Sequence, residues 1–328
     1  MGRELRRRHS AWLHPYYQVD CRAAILRRRM RARLTIAVVG TGSLGSVLAV
    51  LLHEAGFRIR EVVSRAGTAS RRRARALAKR VGARALVIGD PGLTANVIWL
   101  CVPDREIASC ARSLAASIPD WKGRVVLHSS GALAGDELGV LRARGAKVAS
   151  AHPLMTFVHG SRPSLAGVGF AVEGDRAARQ IAREMISKLG AEFYPISKKH
   201  KAVYHAWATF ASPLVTVLLA VSEEVALAAG IRRPEARRRL APILRETVNN
   251  YARVGAGPSF SGPIVRGDAA TVEKHLREFV NLPEAADVYR ALALAALKTL
   301  PARNQGALER VLKTRLRGAG RGRRASAK

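Results

Sequence analysis

The sequence predicts an α/β protein in which a doubly wound parallel sheet is followed by an all-α C-terminal region. Three features carry this expectation. Apolar, β-branched runs alternate with helix-like runs over residues 34–153. A glycine-rich turn joins the first of those strands to the first helix. From Lys198 onward the pattern is almost wholly helical.

Taken in order, "LTIAVVG" at 34–40 is a continuous apolar run, as expected of a strand buried on both faces. "SLGSVLAVLLHEAG" follows as a helix that stops at Gly56. "RIREVVS" is the next strand, and a basic helix spans about 70–81. "NVIWLCVPD" is a third strand, "REIASCARSLAASI" a helix, and "RVVLHSSG" and "AKVASAHP" two further strands. "GVGFAVEG" and "AEFYPIS" flank a helix near 175–189 and extend the same sheet. The helical region begins with a run of over thirty residues that Pro213 kinks or splits. Further helices are expected near 235–254, 269–280 and 284–300. No internal repeat is present.

This organisation divides the chain into a basic extension (1–29), a sheet domain (30–197), a helical domain (198–312) and a basic tail (313–328). The 328 residues suit about two domains. The formal net charge is +32, of which 13 charges fall in the two ends. Such a balance points to nucleic acid or an anionic surface. Against that, no aromatics are interleaved with the Arg runs, as a single-strand binder would need, and compositional Arg bias explains the rest. Nucleic acid is therefore not the expected partner. Cys21, Cys101 and Cys110 show no C-x-x-C spacing, so neither disulfides nor a zinc site is expected, and the compartment is reducing, the cytoplasm. No apolar run reaches about 18 residues, so no membrane helix is expected.

"GTGSLG" sets Gly40, Gly42 and Gly45 in G-x-G-x-x-G spacing, with Thr41, Ser43 and Leu44 between them. Gly40 permits the tight turn, Gly42 lets the backbone approach a pyrophosphate, and Gly45 lets helix and strand pack closely. The helix N-terminus adds free N–H groups and a positive dipole end. The context, strand before and helix after at the start of a βαβ unit, is that of a Rossmann-like dinucleotide site. The second strand then chooses the cofactor. It ends in Ser64-Arg65, with Ser70 and Arg71 to Arg73 beyond and no acid to hold a ribose diol. A hydroxyl with guanidinium groups suits a 2′-phosphate, hence NADP (NADPH). The alternative for Arg71 to Arg73 is a solvated helix face.

Ligands of open α/β sheets lie beyond the carboxyl ends of the strands. Those ends carry Val102, Pro103 and Asp104, then His128, Ser129, Ser130 and Gly131, then His152 and Pro153. His128 and His152 are candidate proton relays, or loop histidines satisfied by backbone. In "KAVYHAWATFAS", Lys201 shares a helix face with Tyr204 and His205, and all three are able to donate a proton. That face is alternatively a wet surface. In "SGPIVRGDAATVEKHL", Asp268 is an N-cap for the helix that follows, His275 is ambiguous, and Arg266 is a carboxylate ligand. Nothing supports an adhesion role for this Arg-Gly-Asp triplet.

"TIAVVGTGSLG", "CVPDREI", "LHSSGAL", "AHPLMTF", "VYHAWATFAS" and "SGPIVRGDAATVEKHL" occur in that order. Together they resemble predicted oxidoreductases that join a Rossmann-like NADP-binding domain to a helical C-terminal domain of unknown function. The resemblance runs from about residue 34 to about residue 300. Related superfamilies include pyrroline-5-carboxylate reductase, 6-phosphogluconate dehydrogenase and deazaflavin-dependent NADP reductases. It implies an oxidoreductase whose helical domain closes the site and builds a homodimer. Relatives often carry Asn where this chain has Ser212-Pro213, so no Asn role transfers there.

The expected function is hydride transfer between the nicotinamide and a small carbonyl or imine compound, in a cleft between the two domains. A basic, Ser/His-rich cleft suits an anionic substrate. His152 and His205 are the leading proton donors, with Lys201 and Tyr204 beside them. Arg266, Asn250 and Ser130 are the expected substrate ligands. The rival reading is a sensor that binds NADP without turnover.

Overall fold

The computed structural model describes residues 34–314. The expectations for 1–29, and for the tail from 315 onward, lie outside the described residues. In the first part of the chain come β1 (Thr35–Val39), α1 (Ser43–Glu54), β2 (Arg58–Ser64), α2 (Thr68–Arg80) and β3 (Arg84–Val87). β4 (Val97–Leu100), α3 (Asp104–Ser117), β5 (Val125–His128) and β6 (Lys147–Pro153) follow. β7 (Gly169–Gly174), α4 (Arg176–Lys188), β8 (Glu192–Pro195) and α5 (Lys201–Ala211) come next. The strands form one eight-stranded sheet in the order β3-β2-β1-β4-β5-β6-β7-β8.

Every neighbouring pair is parallel except β6 with β7, which is antiparallel. The sheet is thus mostly, not wholly, parallel. A parallel return needs a crossover, usually a helix. Residues 154–168 contain no helix and bring the chain straight back along the sheet. β3 is an addition to the sequence reading. It is a short edge strand with two exposed residues, too brief for a period-two pattern to register.

Alternation along the strands feeds two apolar layers. Ile36 and Val38 face the layer completed by Leu48 and Leu52 of α1, Leu77 of α2 and Met185 of α4. Ala37 and Val39 face the layer completed by Ile107 and Leu114 of α3, Trp121 and Leu141. Helices on both faces are what doubly wound strands require, because each strand is apolar on both sides. Glu61, midway along β2, is fully buried. Its carboxylate accepts from Arg84 Nη2 and Thr94 Oγ1, each at 2.7 Å, and from the Thr94 and Ala95 backbone N–H groups at 3.2 Å. That is enough to satisfy a buried charge. Glu61 is therefore spent inside the fold and leaves the end of β2 without an acid.

The chain divides into two compact units, up to 208 and from 209. The sequence reading placed the boundary at 197/198. The division falls later because Lys201 and Tyr204 of α5 are buried beside the carboxyl ends of β5 and β6.

The second unit is helical: α6 (Pro213–Ala228), α7 (Arg233–Val254), α8 (Ala269–Glu278), α9 (Pro283–Thr299) and α10 (Gln305–Lys313). Its small core joins Val272 and Leu276 of α8 to Ala293 of α9 and Leu308 and Leu312 of α10. Asp268 caps α8, accepting from Thr271 N at 3.0 Å and Thr271 Oγ1 at 2.7 Å. Gly267 before it has φ +75, the left-handed conformation that favours glycine. His275 Nδ1 lies 3.1 Å from Tyr289 Oη, which gives that ambiguous histidine a structural partner.

Pro213 does split the long helical run, after Ser212. Within Lys198–Ala228 an 18-residue stretch has mean hydropathy 1.6, long and apolar enough to cross a membrane by length and composition alone. Polar residues such as Ser212 and Thr216 interrupt it, so it does not read as an unbroken apolar run in the sequence.

Candidate functional site

The order β2-β1-β4 places the reversal of strand order between β1 and β4, where ligands of such sheets bind. A groove of about 430 Å³ opens there. Gly40, Thr41 and Gly42 form one wall, and Cys101, Val102 and Pro103 another. Ser64, Arg65, Ser70 and Arg73 line the end beyond β2, with Glu106 and Ser109 of α3 facing them. Gly40 has φ +105, and a Cβ there would lie 2.3 Å from the Cys101 carbonyl oxygen. A Cβ on Gly45 would lie 2.0 Å from the Gly40 carbonyl oxygen, whereas one on Gly42 would meet nothing within 4 Å. The first and third glycines are thus demanded by packing. The second leaves open space beside the N-terminus of α1, where a phosphate fits.

Three expected cofactor residues are placed differently. Ser43 faces a separate cavity on the other side of the loop. Leu44 packs against the core. Asp104, at the start of α3, accepts a 2.7 Å hydrogen bond from Ser130 Oγ. Among Arg71 to Arg73, only Arg73 reaches the groove.

The second cluster lies beyond β5 and β6. His152 Nδ1 is 2.8 Å from Tyr204 Oη, and its ring meets the His205 ring edge-on at 5.8 Å. Gly131 borders both histidines: a Cβ there would lie 2.4 Å from His205 Cδ2 and 2.9 Å from His152 Nε2. Tyr204 also packs against the rings of Tyr194 and Trp207. Burial, then the Tyr194 hydroxyl, pushes the Tyr204 phenol up, so it stays protonated. Burial first, then His205 and Lys201, lowers the pKa of His152 to about 4, with Asp104 opposing, so it is neutral at pH 7.

Lys201 is 1% exposed. Its ammonium donates to Ser150 Oγ at 2.6 Å and to the Ser130 carbonyl at 3.1 Å, and Ser150 Oγ donates to the same carbonyl at 3.0 Å. Burial pulls its pKa down to about 8, against Glu173 and Asp104. Lys201 thus ties α5 to the ends of β5 and β6 beneath the histidines. Ser130, expected to bind substrate, is 4% exposed. Its hydroxyl donates to Asp104 and accepts from Leu133 N at 2.9 Å, which makes it a loop staple. Arg266 and Asn250 belong to the second unit. Arg266 is exposed at the end of a short helical turn, and Asn250 Oδ1 accepts from Arg253 Nη2 at 2.9 Å.

Ser150 was not singled out from the sequence, where it left a weak signal as a lone hydroxyl in an apolar strand. Gly131 was read at the ligand-bearing end of β5, but its place against both histidines appears only when three segments meet. Among the described residues no group of three or more His, Cys, Asp or Glu is poised for a metal.

His128 is fully buried. Its Nδ1 accepts from Ser130 N at 3.2 Å, so the neutral ring carries its proton on Nε2 and donates to the Ala134 carbonyl at 3.0 Å. Burial lowers its pKa from 6.5 to about 4, with Lys201 adding to this and the Ala134 carbonyl and Asp104 opposing. The unfolded chain therefore takes up this proton at higher pH than the native one. Stability is lost as pH falls from 6.5 to about 4, by about 3 kcal/mol for this residue. His128→Leu is expected to flatten the dependence of unfolding free energy on pH in that window, read from urea melts. An unchanged slope would remove His128 as its source.

Residues 23–153 match the model of a Rossmann-like domain, and residues 168–296 match the domain of unknown function DUF2520. The chain joins a Rossmann-like domain to a DUF2520 domain. No curated protein matches its sequence. Among solved structures, a candidate NADP oxidoreductase from Bacteroides fragilis is 20% identical, with TM-score 0.67 over 80% of this chain and 97% of that one. An imine reductase from Streptomyces aurantiacus is 18% identical, with TM-score 0.57 over 85% and 100%. A reductive aminase from Aspergillus terreus, solved with NADPH and ethyl-5-oxohexanoate, is 16% identical, with TM-score 0.53 over 85% and 90%. At these identities the likeness is one of fold. In this chain the glycine groove falls in the Rossmann-like match, and the Lys201–Tyr204–His205 face falls in the DUF2520 match.

Proposed function

We propose that the protein is an NADPH-dependent oxidoreductase that reduces a carbonyl or imine carbon of a small, anionic compound. The observation that carries this reading is the shared edge. The glycine groove and the His152–Tyr204–His205 cluster both lie at the carboxyl ends of the parallel strands, and the Asp104–Ser130 bond links the residue after groove-lining Pro103 to the loop that carries Gly131. Ser64, Arg65, Ser70 and Arg73 at the far end of the groove support a 2′-phosphate. The fold shared with the NADPH-bound reductive aminase supports the same cofactor.

The cofactor supplies the hydride. The chain supplies the groups around the reacting oxygen or nitrogen. Tyr204, held protonated, donates to His152 Nδ1 and so fixes the neutral tautomer with its proton on Nε2. That N–H lies beside Gly131, where the His205 ring also converges. A neutral imidazole is a good donor to a developing alkoxide or amine. Lys201 and Ser150 set the height of the loop that carries Gly131. α6 has no buried residue and leaves Leu214, Val215, Val217 and Leu218 exposed, which favours a homodimer that covers them. Light scattering tests it, and a monomer at micromolar concentration ends that part of the reading.

Cofactor choice has a direct test. NADPH is expected to raise the unfolding temperature more than NADH at equal concentration, because a ligand stabilises the native state by its affinity for it. Equal shifts, or a larger one with NADH, overturn the assignment of Ser64, Arg65 and Arg73. Turnover is then sought as NADPH oxidation against keto acids and cyclic imines. A protein that NADPH stabilises but that consumes none with any of them is a sensor instead.

A further inference from the structure

A second cavity in the first unit, about 540 Å³, lies between α1 and α2 under residues 159–163. Its α1 wall is Ser46, Val47, Val50, Leu51 and Glu54, one face at helical spacing. Its α2 wall is Arg73, Ala76, Leu77 and Arg80, again one face. Arg162 and His159 close it from the loop above. The floor is therefore aliphatic and the rim carries three guanidinium groups against one carboxylate, Glu54. Arg73 donates to Ser70 Oγ at 3.4 Å, and none of the three arginines is paired with an acid of the described residues. None of the histidines of the 152–205 cluster lines this cavity. Thr41, Gly42 and Arg73, however, line both it and the nucleotide groove.

We propose that this cavity is a second ligand site, for a small amphipathic anion with an alkyl or aryl body, and that its occupant opposes NADPH binding. The apolar floor takes the body of the ligand, and Arg80 and Arg162 take its anionic head. Arg73 is the point of coupling: two anions compete for one guanidinium beside the same glycine loop. Linkage makes that effect mutual, so NADPH weakens the anion as much as the anion weakens NADPH. The coupling, but not the site itself, rests on the NADPH reading above.

Octyl phosphate below its micellar concentration is the probe, with octanol and inorganic phosphate as controls, titrated by calorimetry into the full chain without cofactor. Octyl phosphate is expected to bind saturably and more tightly than either control. Arg80→Glu with Arg162→Glu is expected to weaken it about tenfold, or about 1.4 kcal/mol. Neither residue lines the nucleotide groove, so NADPH affinity without probe is expected to stay unchanged. Ala76→Trp, which fills the second cavity from an exposed position on α2, is expected to block the probe, which keeps the test open if the double variant unfolds. With wild type, saturating probe is expected to weaken NADPH about fivefold. Octanol binding as well as octyl phosphate, or undiminished probe binding in both variants, overturns the site. Probe binding that leaves NADPH affinity untouched overturns the coupling. A chain that binds the probe but no NADPH overturns the coupling and the functional reading while sparing the site.

Discussion

Gly42→Ala is expected to leave stability intact and abolish most NADPH binding, while Gly45→Ala is expected to weaken both. The two glycines sit three residues apart in one turn, yet their surroundings differ. A methyl group on Gly42 meets no atom of the protein, and its φ of −73 suits any residue, so the unfolding free energy should move by less than about 0.5 kcal/mol. The same methyl group fills the space through which a pyrophosphate reaches the N-terminus of α1, and the cost falls on binding alone. On Gly45 the methyl group would lie 2.0 Å from the Gly40 carbonyl oxygen and 3.1 Å from Cys101 Cβ. Backbone must move, and an overpacked contact of this kind costs about 1–3 kcal/mol. Urea melts and a fluorescence titration with NADPH separate the two outcomes. If Gly42→Ala binds NADPH as wild type does, the groove does not hold phosphate at this loop.

The second large effect belongs to Tyr204. Tyr204→Phe keeps the ring that packs on Tyr194 and Trp207 and removes only the hydroxyl on His152. Once a substrate is found, kcat is expected to fall about 100-fold with NADPH affinity unchanged, the size of effect general acid–base groups have. The same change frees the tautomer of His152, so the pH dependence of the residual activity should shift with it. His152→Gln is expected to cost as much as Tyr204→Phe, and the double variant little more than either, because the two act as one unit. Additive losses, or an unaffected kcat in Tyr204→Phe, would rule out the pair as the donor.

The first unit was legible from sequence because its signals are local. A buried parallel strand writes itself as a β-branched run, and a glycine loop as three glycines at fixed spacing. Seven of the eight strands follow from such runs, and the unpredicted β3 is the short one at the edge, where pairing and not composition makes the strand. Asp268 as a cap was legible for the same reason, since its partner is three residues away. The direction of β7 was not, because parallel and antiparallel strands are spelled alike and only the helix-free stretch 154–168 hints at the return.

The candidate site divides along the same line. Residue type and spacing determined which side chains have usable chemistry: the glycine loop, the acid-free end of β2, His152 and the Lys201–Tyr204–His205 face. Tertiary structure decided what each of them is free to do. Lys201 and Ser130 look reactive in sequence, but their polar atoms are spent: Lys201 on Ser150 and the Ser130 carbonyl, and the Ser130 hydroxyl on Asp104 and Leu133 N, most of these partners lying more than 20 residues away. Gly131 looks like a loop residue, and becomes essential only where His152 and His205 converge on it. Local chemistry is written in the order of the residues. Which hydrogen bonds a polar group has left to give depends on neighbours that only the fold brings within 3 Å, and burial then sets their protonation.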